Sequence, residues 1–346
     1  MSVADVADDG GLGRSGSRNA ADPRVSALRK RHLAPVRYFG RLAACSTSMH
    51  GVFDTLDRFA RTDVTITLAG ETGAGKDILA HVLHEQSARA AGPFVVFDCG
   101  AVAANLAESE LLGHERGAFT GAVTAHAGAF ERAHGGTLFL DEVAELPVDL
   151  QPRLLRALES RKVRRVGGML ERQMDVRVIA ATHRDLRAEV ATGRFREDLY
   201  FRLAVAVVSV PPLRERYEDL AHLVHGLLAD LGRGELLASE ATLGVLRAHP
   251  WPGNIRELKN ALACSVAFVD PGTQVLEPEH LRLLSPRNAD DSWLDGLPLG
   301  GQMLERIERA AIRQTMLQAD GNKVFAARTL GIAVSTLYEK LKKYQL

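Results

Sequence analysis

The stretch Gly70-Glu71-Thr72-Gly73-Ala74-Gly75-Lys76 decides the fold of this chain. It follows an apolar, β-branched run at 64–68 and precedes a helical run through Ile78-Leu79-Ala80. A glycine-rich loop between a strand and a helix offers backbone N–H groups to phosphate oxygens, and its lysine reaches the outer phosphates. Position 77 is Asp77, where such loops usually carry Ser or Thr as a magnesium ligand. The stretch predicts a nucleotide site, although glycine-rich turns also begin helices for packing reasons.

A second stretch, Thr137-Leu138-Phe139-Leu140-Asp141-Glu142, supplies the acidic half of this predicted site. It reads as a buried strand with two carboxylates at its carboxyl end, which is where open α/β sheets bind their ligands. One carboxylate, Asp141, is expected to hold Mg²⁺ directly or through water, and Glu142 to polarise the attacking water. The alternative is a strand cap followed by a solvated turn.

Apolar runs alternate with helical stretches over the first two thirds of the chain. This alternation predicts a parallel sheet flanked by helices. The predicted strands lie at 64–68, 94–97, 137–140, 176–180 and 204–210. After Pro211-Pro212 only helical periodicity is expected, up to about Leu284.

Composition excludes several functional classes. Lysine plus arginine and aspartate plus glutamate each number 43, so a nucleic-acid partner must be met by a local patch. The 3 cysteines lack metal-ligand spacing, which fits free thiols in a reducing compartment. No apolar run approaches the ~18 residues that a bilayer span requires, and no signal peptide is evident. A cytoplasmic protein without a membrane partner is predicted.

Between the two nucleotide motifs lies the stretch Gly117-Ala118-Phe119-Thr120-Gly121-Ala122. Its glycines free the backbone for a tight turn, so that an exposed Phe-Thr pair can stand at a loop tip. Such a stretch alone is more often an ordinary turn with a half-buried Phe. Its position within an ATPase indicates instead a loop that the nucleotide cycle moves against a partner.

The C-terminal segment has the pattern of a helix-turn-helix. Small Ala327 allows close helix approach, Gly331 makes the turn, and one apolar face is predicted from Val334, Leu337, Tyr338 and Leu341. Ser335 is expected near the N-cap of the second helix. The candidate DNA contacts are Ser335, Thr336, Lys340, Lys342 and Lys343. The alternative is a helical pair that only packs or dimerises.

With these motifs the chain resembles the AAA+ activators of sigma-54 RNA polymerase, also called bacterial enhancer-binding proteins. The resemblance covers about Leu42 to Leu284, and includes Glu110-Leu111-Leu112-Gly113-His114-Glu115-Arg116 leading into the Gly117–Ala122 loop. The end of the chain is similar to a Fis-type domain, although Val334 and Glu339 stand at sites that are often Arg, which lowers the expected phosphate affinity. A carboxylate at position 77 is usual in that family.

The resemblance implies an α/β AAA+ fold with a P-loop parallel sheet and a helical lid, plus a small all-α helix-turn-helix domain. Composition predicts a disordered, basic tail (1–41) and a linker (285–301). Between and after them, the implied domains are the ATPase core with its loop (42–219), the lid (220–284) and the DNA-binding domain (302–346). The implied cofactors are ATP and Mg²⁺.

Further site residues follow from the resemblance alone. Thr182 matches the sensor position near the γ-phosphate, and Arg256 matches the second sensor on the lid. Arg196 and Arg202 match arginine fingers that enter the neighbouring subunit's site, although they could equally pair with nearby surface acids. Asp98 stands where the family commonly has an Asn that restrains the catalytic glutamate; an ionised Asp cannot donate a hydrogen bond to Glu142 and would repel it. Three alternatives remain open at this point: Asp98 is protonated, a water or cation bridges the pair, or the switch works differently in this chain.

The function implied is an activator that binds upstream enhancer DNA, assembles a ring, typically a hexamer, and hydrolyses ATP. The ring would open the closed sigma-54 polymerase complex through the Gly117–Ala122 loop. Only 41 residues precede Leu42, so control is expected from a separate regulatory protein in trans, from expression level, or not at all. Two rival hypotheses are a DNA-binding regulator without turnover and a AAA+ remodelling ATPase without sequence-specific DNA binding.

Overall fold

The computed structural model describes residues 36–270, 272–283, 308, 311–313, 315–316 and 323–344. The chain divides after Leu283 into two compact units, which are described separately. The predicted linker at 285–301 and most of the predicted tail at 1–41 lie outside the described residues.

The first unit alternates strands and helices along the chain. Its elements are β1 (Arg37–Phe39), β2 (Leu42–Ala44), α1 (Thr47–Ala60), β3 (Ile66–Ala69), α2 (Lys76–Glu85), β4 (Phe94–Asp98), α3 (Ala104–Leu112), β5 (Gly113–His114), β6 (His126–Ala127), α4 (Ala129–Arg132), β7 (Thr137–Asp141), α5 (Gln151–Ser160), β8 (Lys162–Arg164), β9 (Glu171–Gln173), β10 (Arg177–Thr182), α6 (Leu186–Ala191), α7 (Glu197–Leu203), β11 (Ala206–Ser209), α8 (Leu220–Asp230), β12 (Leu237–Ala238), α9 (Glu240–Ala248), α10 (Asn254–Ala267) and β13 (Val275–Leu276).

Five of these strands form the predicted parallel sheet, in the order β11-β3-β10-β7-β4. The central strand β10 is buried along its whole length, as expected for a strand covered by helices on both faces. Separate apolar cores lie on the two faces, one including Leu138 and Leu140 and the other including Leu68 and Phe139. Because all five strands are parallel, their carboxyl ends meet at one edge.

Three short antiparallel pairs were not predicted: β1 with β2, β5 with β6, and β8 with β9. Their strands have only two or three residues, too few for an alternating pattern to stand out. The β5-β6 pair brackets the Gly117–Ala122 loop, and His114 also bridges to Val166 beyond β8.

Helices α8, α9 and α10 pack around a third core, with Trp251 fully buried in it. The Trp251 indole N–H donates to the carbonyl of Leu246 at 2.7 Å, so its polar edge is satisfied. The expectation of helices alone after Pro212 is wrong in one detail. The two-residue strands β12 and β13 pair in parallel and join the helix ends.

In the second unit, α11 (Lys323–Thr329) and α12 (Val334–Tyr344) flank a turn in which Gly331 has φ +67°. The predicted close approach at Ala327 is present, since Ala326 and Ala327 are both buried. Because α12 begins at Val334, Ser335 is its second residue and not its N-cap.

The apolar face predicted for α12 needs a correction. Leu337 and Leu341 are buried, but Val334 is 37% exposed and Tyr338 is 53% exposed. Tyr344 completes the buried face instead, because the side chains at 337, 341 and 344 share one narrow stripe of the helix. The side chain at 338 points about 100° away from that at 337. Tyr338 lies outside, with the Lys323 ammonium 4.6 Å from its ring centre.

None of the helices in the described part of the chain combines the length and apolarity that a bilayer span requires.

Candidate active site

The phosphate-binding loop lies between β3 and α2, as the sequence predicts. Gly73 (φ +76°) and Gly75 (φ +95°) have left-handed backbones that other residues rarely adopt. At Gly73 a Cβ would also lie 2.4 Å from the carbonyl oxygen of Gly253, so glycine is required there for space as well. Gly75 is the N-cap of α2, and the first-turn N–H groups of this helix are donors that can bind phosphate oxygens.

Lys76 is buried inside this loop. Its Nζ donates to the carbonyl oxygens of Gly70 at 2.8 Å and Glu71 at 3.2 Å. The same ammonium lies 3.5 Å from Oε1 of Glu142. The two motifs that the sequence separates by more than sixty residues therefore meet through one ion pair. Asp77, the next residue, is exposed on the first turn of α2.

Asp141 is the last residue of β7 and Glu142 follows it, beside the loop. Burial raises the pKa of Asp141, and the neighbouring Glu142 raises it further. This carboxylate lacks enough nearby positive charge, which fits a group that binds a cation. Mg²⁺ in nucleotide sites is held by one or two carboxylates together with phosphate oxygens, so Asp141 fits the ion without a dedicated cage. Among the described residues no cluster of three metal-ligating side chains exists.

Glu142 is held in an uncommon conformation. Its φ of +50° is left-handed, and such backbones in non-glycine residues concentrate at functional sites. Burial alone would raise its pKa, but the hydrogen bond from His183 and the charge of Lys76 bring the pKa below its usual value. Glu142 is therefore an ionised carboxylate at neutral pH, the state that a proton acceptor needs.

His183, which the sequence analysis did not single out, is the main partner of Glu142. Oε2 of Glu142 accepts from the backbone N–H of His183 at 3.1 Å and from its Nδ1 at 2.6 Å. Asp98 is engaged elsewhere: its Oδ1 accepts the backbone N–H groups of Gly100 at 2.9 Å and Ala101 at 3.0 Å. The one available signal was a polar residue directly after β10, next to β7 in the sheet, and it did not distinguish His183 from Asp98.

The two sensor candidates lie next to different residues of the phosphate loop, Thr182 beside Gly70 and Arg256 beside Gly73. Thr182 is buried at the end of β10, and its carbonyl accepts the Gly70 N–H at 3.1 Å. Its hydroxyl accepts the backbone N–H of Arg184 at 3.0 Å. Arg256 is exposed on α10, and its Cβ lies within 3.0 Å of the place that a Cβ on Gly73 would take.

The start of α10 is fastened to the loop through Asn254, a contact that the sequence analysis missed. Asn254 Nδ2 donates to Glu71 Oε2 and to the carbonyl of Thr72, both at 3.1 Å. Its Oδ1 accepts the Leu213 N–H at 2.7 Å. Glu71 also binds Arg214 through both oxygens, and these hydrogen bonds lower the pKa of Glu71 to about 2. Glu71 and Thr72 thus face the lid.

A cavity of about 670 Å³ lies beside the loop, between β2, α1 and α8. Apolar side chains such as Phe53 and Ile78 line it, together with His222 and Asp230. Its wall includes Arg216, whose Nη2 donates to the Ala74 carbonyl at 2.6 Å; burial lowers the pKa of Arg216 to about 10. The cavity adjoins Gly75 and is the place where a nucleobase would fit.

The two finger candidates are exposed, Arg196 as the N-cap of α7 and Arg202 in its last turn, and each binds a residue of the same protomer. Arg196 pairs with Asp198 through two hydrogen bonds, at 3.0 and 2.7 Å. Arg202 donates from Nη2 to the Leu158 carbonyl at 2.9 Å. The pairing of Arg196 is the surface alternative that the sequence left open, and it is present within one protomer.

The Gly117–Ala122 loop is a closed turn with an exposed tip. The Gly117 N–H donates to the Ala122 carbonyl at 2.8 Å, and Gly117 (φ +80°) and Gly121 (φ +110°) have left-handed backbones. Thr120 is exposed, and Phe119 is 39% exposed. The ring of Phe119 meets His114 edge-on, with centres 5.0 Å apart.

In the second unit, the candidate DNA contacts differ in how far they are engaged. Ser335, Lys342 and Lys343 are exposed and Thr336 is partly exposed. Lys340 pairs with Glu308, which also accepts the Tyr344 hydroxyl at 2.5 Å. The ammonium of Lys340 is therefore already neutralised within the domain.

Comparison with known proteins assigns the chain to a family. Residues 42–209 match the Sigma-54 interaction domain, 214–292 the AAA+ ATPase lid domain, and 303–344 the Fis family of bacterial regulatory proteins. The chain is 43% identical over 309 residues to the alginate biosynthesis transcriptional regulatory protein AlgB of Pseudomonas aeruginosa, covering 88% of this chain and 68% of that protein. The chain belongs to the sigma-54-dependent transcriptional activators.

Two further similarities agree with this family. The DNA-binding transcriptional regulator NtrC of Azospirillum brasilense is 38% identical over 326 residues, covering 86% of this chain and 68% of that protein. The crystal structure of NtrX from Brucella abortus in complex with ATP aligns with a TM-score of 0.65 and 34% identity, over 93% of this chain and 72% of that one. For this sigma-54-dependent activator the predicted family and the AAA+, lid and helix-turn-helix fold class are confirmed.

Proposed function

We propose that this activator hydrolyses ATP and uses the energy to convert the closed sigma-54 polymerase complex into the open one. The observation that carries the proposal is the convergence of Lys76, Asp141 and an ionised Glu142 at the carboxyl edge of the sheet. Glu142 can accept the proton of the attacking water, while Lys76 and Arg256 offset charge on the phosphates. When bound at Asp141, Mg²⁺ supplies charge neutralisation between the outer phosphates.

We further propose that the active site is completed by a neighbouring copy of the chain in a ring, typically a hexamer. Arg196 and Arg202 would then be the fingers that enter the neighbour's site, with Thr182 as the sensor of the γ-phosphate. The exposed ion pair of Arg196 supports this assignment, because exposed pairs contribute little free energy and are easily exchanged for a phosphate.

The Gly117–Ala122 loop is proposed as the contact to sigma-54. Its exposed tip supports the proposal, and so does its attachment: the flanking His114 bridges to Val166, and Glu115 donates its N–H to the Val166 carbonyl at 3.0 Å. The loop therefore rests on backbone contacts that leave the Thr120 side chain available to a partner.

The C-terminal domain is proposed to bind upstream enhancer DNA through the exposed side of α12, with Lys342 and Lys343 at phosphates and Ser335 and Thr336 near the start of the helix. Lys340 is expected to contribute less, because Glu308 holds its charge. The domain boundaries given from the sequence and a cytoplasmic place of action beside promoter DNA belong to the same proposal.

The contrast between two lysines of α12 gives a test of the DNA interface. Lys342→Ala is expected to reduce the slope of log affinity against log salt by about 1, since one phosphate contact is lost. Lys340→Ala should change that slope less, and should instead lower the thermal stability of the domain by removing the ion pair between Lys340 and Glu308. Fluorescence titrations of a DNA duplex at several salt concentrations measure both variants. Equal slope changes would contradict the assignment.

The function itself is tested by open-complex formation in vitro with sigma-54 polymerase, using the wild-type chain with ATP or with a non-hydrolysable ATP analogue. Open complexes are expected with ATP alone. Lys76→Ala should give none with either nucleotide. Promoter opening that proceeds equally with the analogue would contradict the proposal and favour a DNA-binding regulator without turnover.

A further inference from the structure

The contact between His183 and Glu142 has a geometry that a packing contact does not need. Two N–H groups of one residue, the backbone N–H and the ring Nδ1, converge on the same oxygen, Oε2. The side chain of His183 is 37% exposed and that of Glu142 is 21% exposed, so the pair lies at the mouth of the site rather than in the core.

The other carboxylate oxygen of Glu142 faces the nucleotide loop. Oε1 lies 3.5 Å from the Lys76 ammonium, a distance too long for a strong hydrogen bond. Two hydrogen bonds to loop carbonyls hold the Lys76 ammonium at the place where phosphates bind. A bound phosphate therefore competes with Oε1 of Glu142 for this ammonium. Oε1 then becomes the oxygen that can accept a proton from water, while Oε2 stays bound to His183.

Position 98 does not supply this restraint. Asp98 is an acceptor, and its Oδ1 is bound to the backbone N–H groups of Gly100 and Ala101 in the turn after β4. Its charge raises the pKa of Asp141, whose Cα is its partner across the sheet. Among the described residues, His183 is the one that donates to the Glu142 carboxylate from both side chain and backbone.

We propose that His183 is a positioning residue for the catalytic glutamate, which fixes Oε2 of Glu142 and so directs Oε1 toward the attacking water. This inference rests on the proposed ATPase function. In the step that it serves, the water oxygen bonds to the γ-phosphorus and the bond from that phosphorus to the β–γ bridging oxygen breaks, its electron pair leaving with ADP. The water proton passes to Oε1 and is then released to the product phosphate.

Three variants of His183 in the full-length chain test this role. His183→Ala removes the side-chain donor and is expected to lower kcat for ATP hydrolysis about 10- to 100-fold, the range for loss of a hydrogen bond to a charged group. KM for ATP should change less than about 2-fold, since His183 touches Glu142 and not the loop. His183→Asn places an amide N–H where Nδ1 lies and should restore kcat, whereas His183→Gln puts its amide one atom further and should not.

His134→Ala is the matched control, because His134 precedes the opposite end of β7, where its ring Nδ1 accepts the Asp175 backbone N–H. This variant should keep the wild-type kcat. Thermal unfolding and binding of an ATP analogue show whether each variant is folded and loaded. An unchanged or higher kcat in His183→Ala, or equal losses in the Asn and Gln variants, would overturn the inference alone. A wild-type chain without ATP turnover would overturn the proposed function and the inference together.

Discussion

Glu142→Gln should abolish most ATP turnover while leaving the nucleotide bound. The amide cannot accept a proton from water, and loss of a general base costs about 10²- to 10⁴-fold in rate. Nucleotide affinity should persist because Lys76, Gly73 and Gly75 are unchanged. Indeed, removing the negative charge 3.5 Å from the Lys76 ammonium should favour phosphate binding. Steady-state phosphate release and binding of a fluorescent ATP analogue measure the two effects separately.

The control for this variant is Glu108→Gln. Glu108 lies on α3 and pairs with Arg153, outside the nucleotide site. The Glu108→Gln variant should therefore hydrolyse ATP at the wild-type rate. Turnover within about threefold of wild type in Glu142→Gln would show that another group accepts the proton. Loss of nucleotide binding would instead show that Glu142 is needed to form the loop.

Thr120→Ala should hydrolyse ATP normally and yet form no open complexes. The turn that carries Thr120 is closed by backbone hydrogen bonds, from Gly117 to Ala122 and from Ala122 to Phe119, so its shape does not depend on the threonine side chain. The hydroxyl and methyl groups at the exposed tip are therefore removed without disturbing Lys76 or Glu142. Promoter opening by sigma-54 polymerase, measured beside phosphate release, separates contact from catalysis.

Val123→Ala is the matched control for the loop. Val123 is 75% exposed directly after the Gly117–Ala122 turn, so its truncation removes a comparable exposed side chain outside the proposed contact. This variant should keep both hydrolysis and promoter opening. Open complexes formed by Thr120→Ala at the wild-type level would move the sigma-54 contact away from the tip.

The phosphate loop and the acidic strand could be predicted from sequence because their signals are local. Each signal is recognisable within a few residues. The signals are glycines at positions that need a left-handed backbone, a lysine at the start of a helix, and carboxylates at the end of a strand. The five strands of the sheet were predicted for the same reason, with ends that differ by up to two residues. Sequence order also predicts that parallel strands share one edge.

The partner of Glu142 could not be predicted in this way. Whether residue 98 or residue 183 reaches the carboxylate depends on side-chain directions at the edge of the sheet, since β4 and β10 both flank β7. The sequence left the role of Asp98 open. In the structure its Oδ1 accepts backbone N–H groups of the turn that follows β4. The same limit explains Asn254, whose three contacts come from segments distant in the chain.

The assignment of the α12 face failed for a different reason. Tyr338 follows Leu337 directly, so a pattern of apolar residues accepts both, although neighbouring positions point about 100° apart on a helix. In the structure Leu337 is buried and Tyr338 is exposed. Tyr344 occupies the buried position two turns further along the helix. Single-sequence periodicity could not decide between these tyrosines.

The amide of Asn254 ties the nucleotide loop to the lid without a flexible joint. Asn254 is fully buried and its backbone is left-handed (φ +53°). Its side chain hydrogen-bonds the Glu71 carboxylate, the Thr72 carbonyl and the Leu213 N–H at the same time. The neighbouring Ile255 N–H adds a bond to the Gly73 carbonyl at 3.0 Å. A displacement of the loop at Gly73 must therefore either move the amino end of α10 with it or break these hydrogen bonds. Movement of the nucleotide loop is in this way transmitted directly to α10.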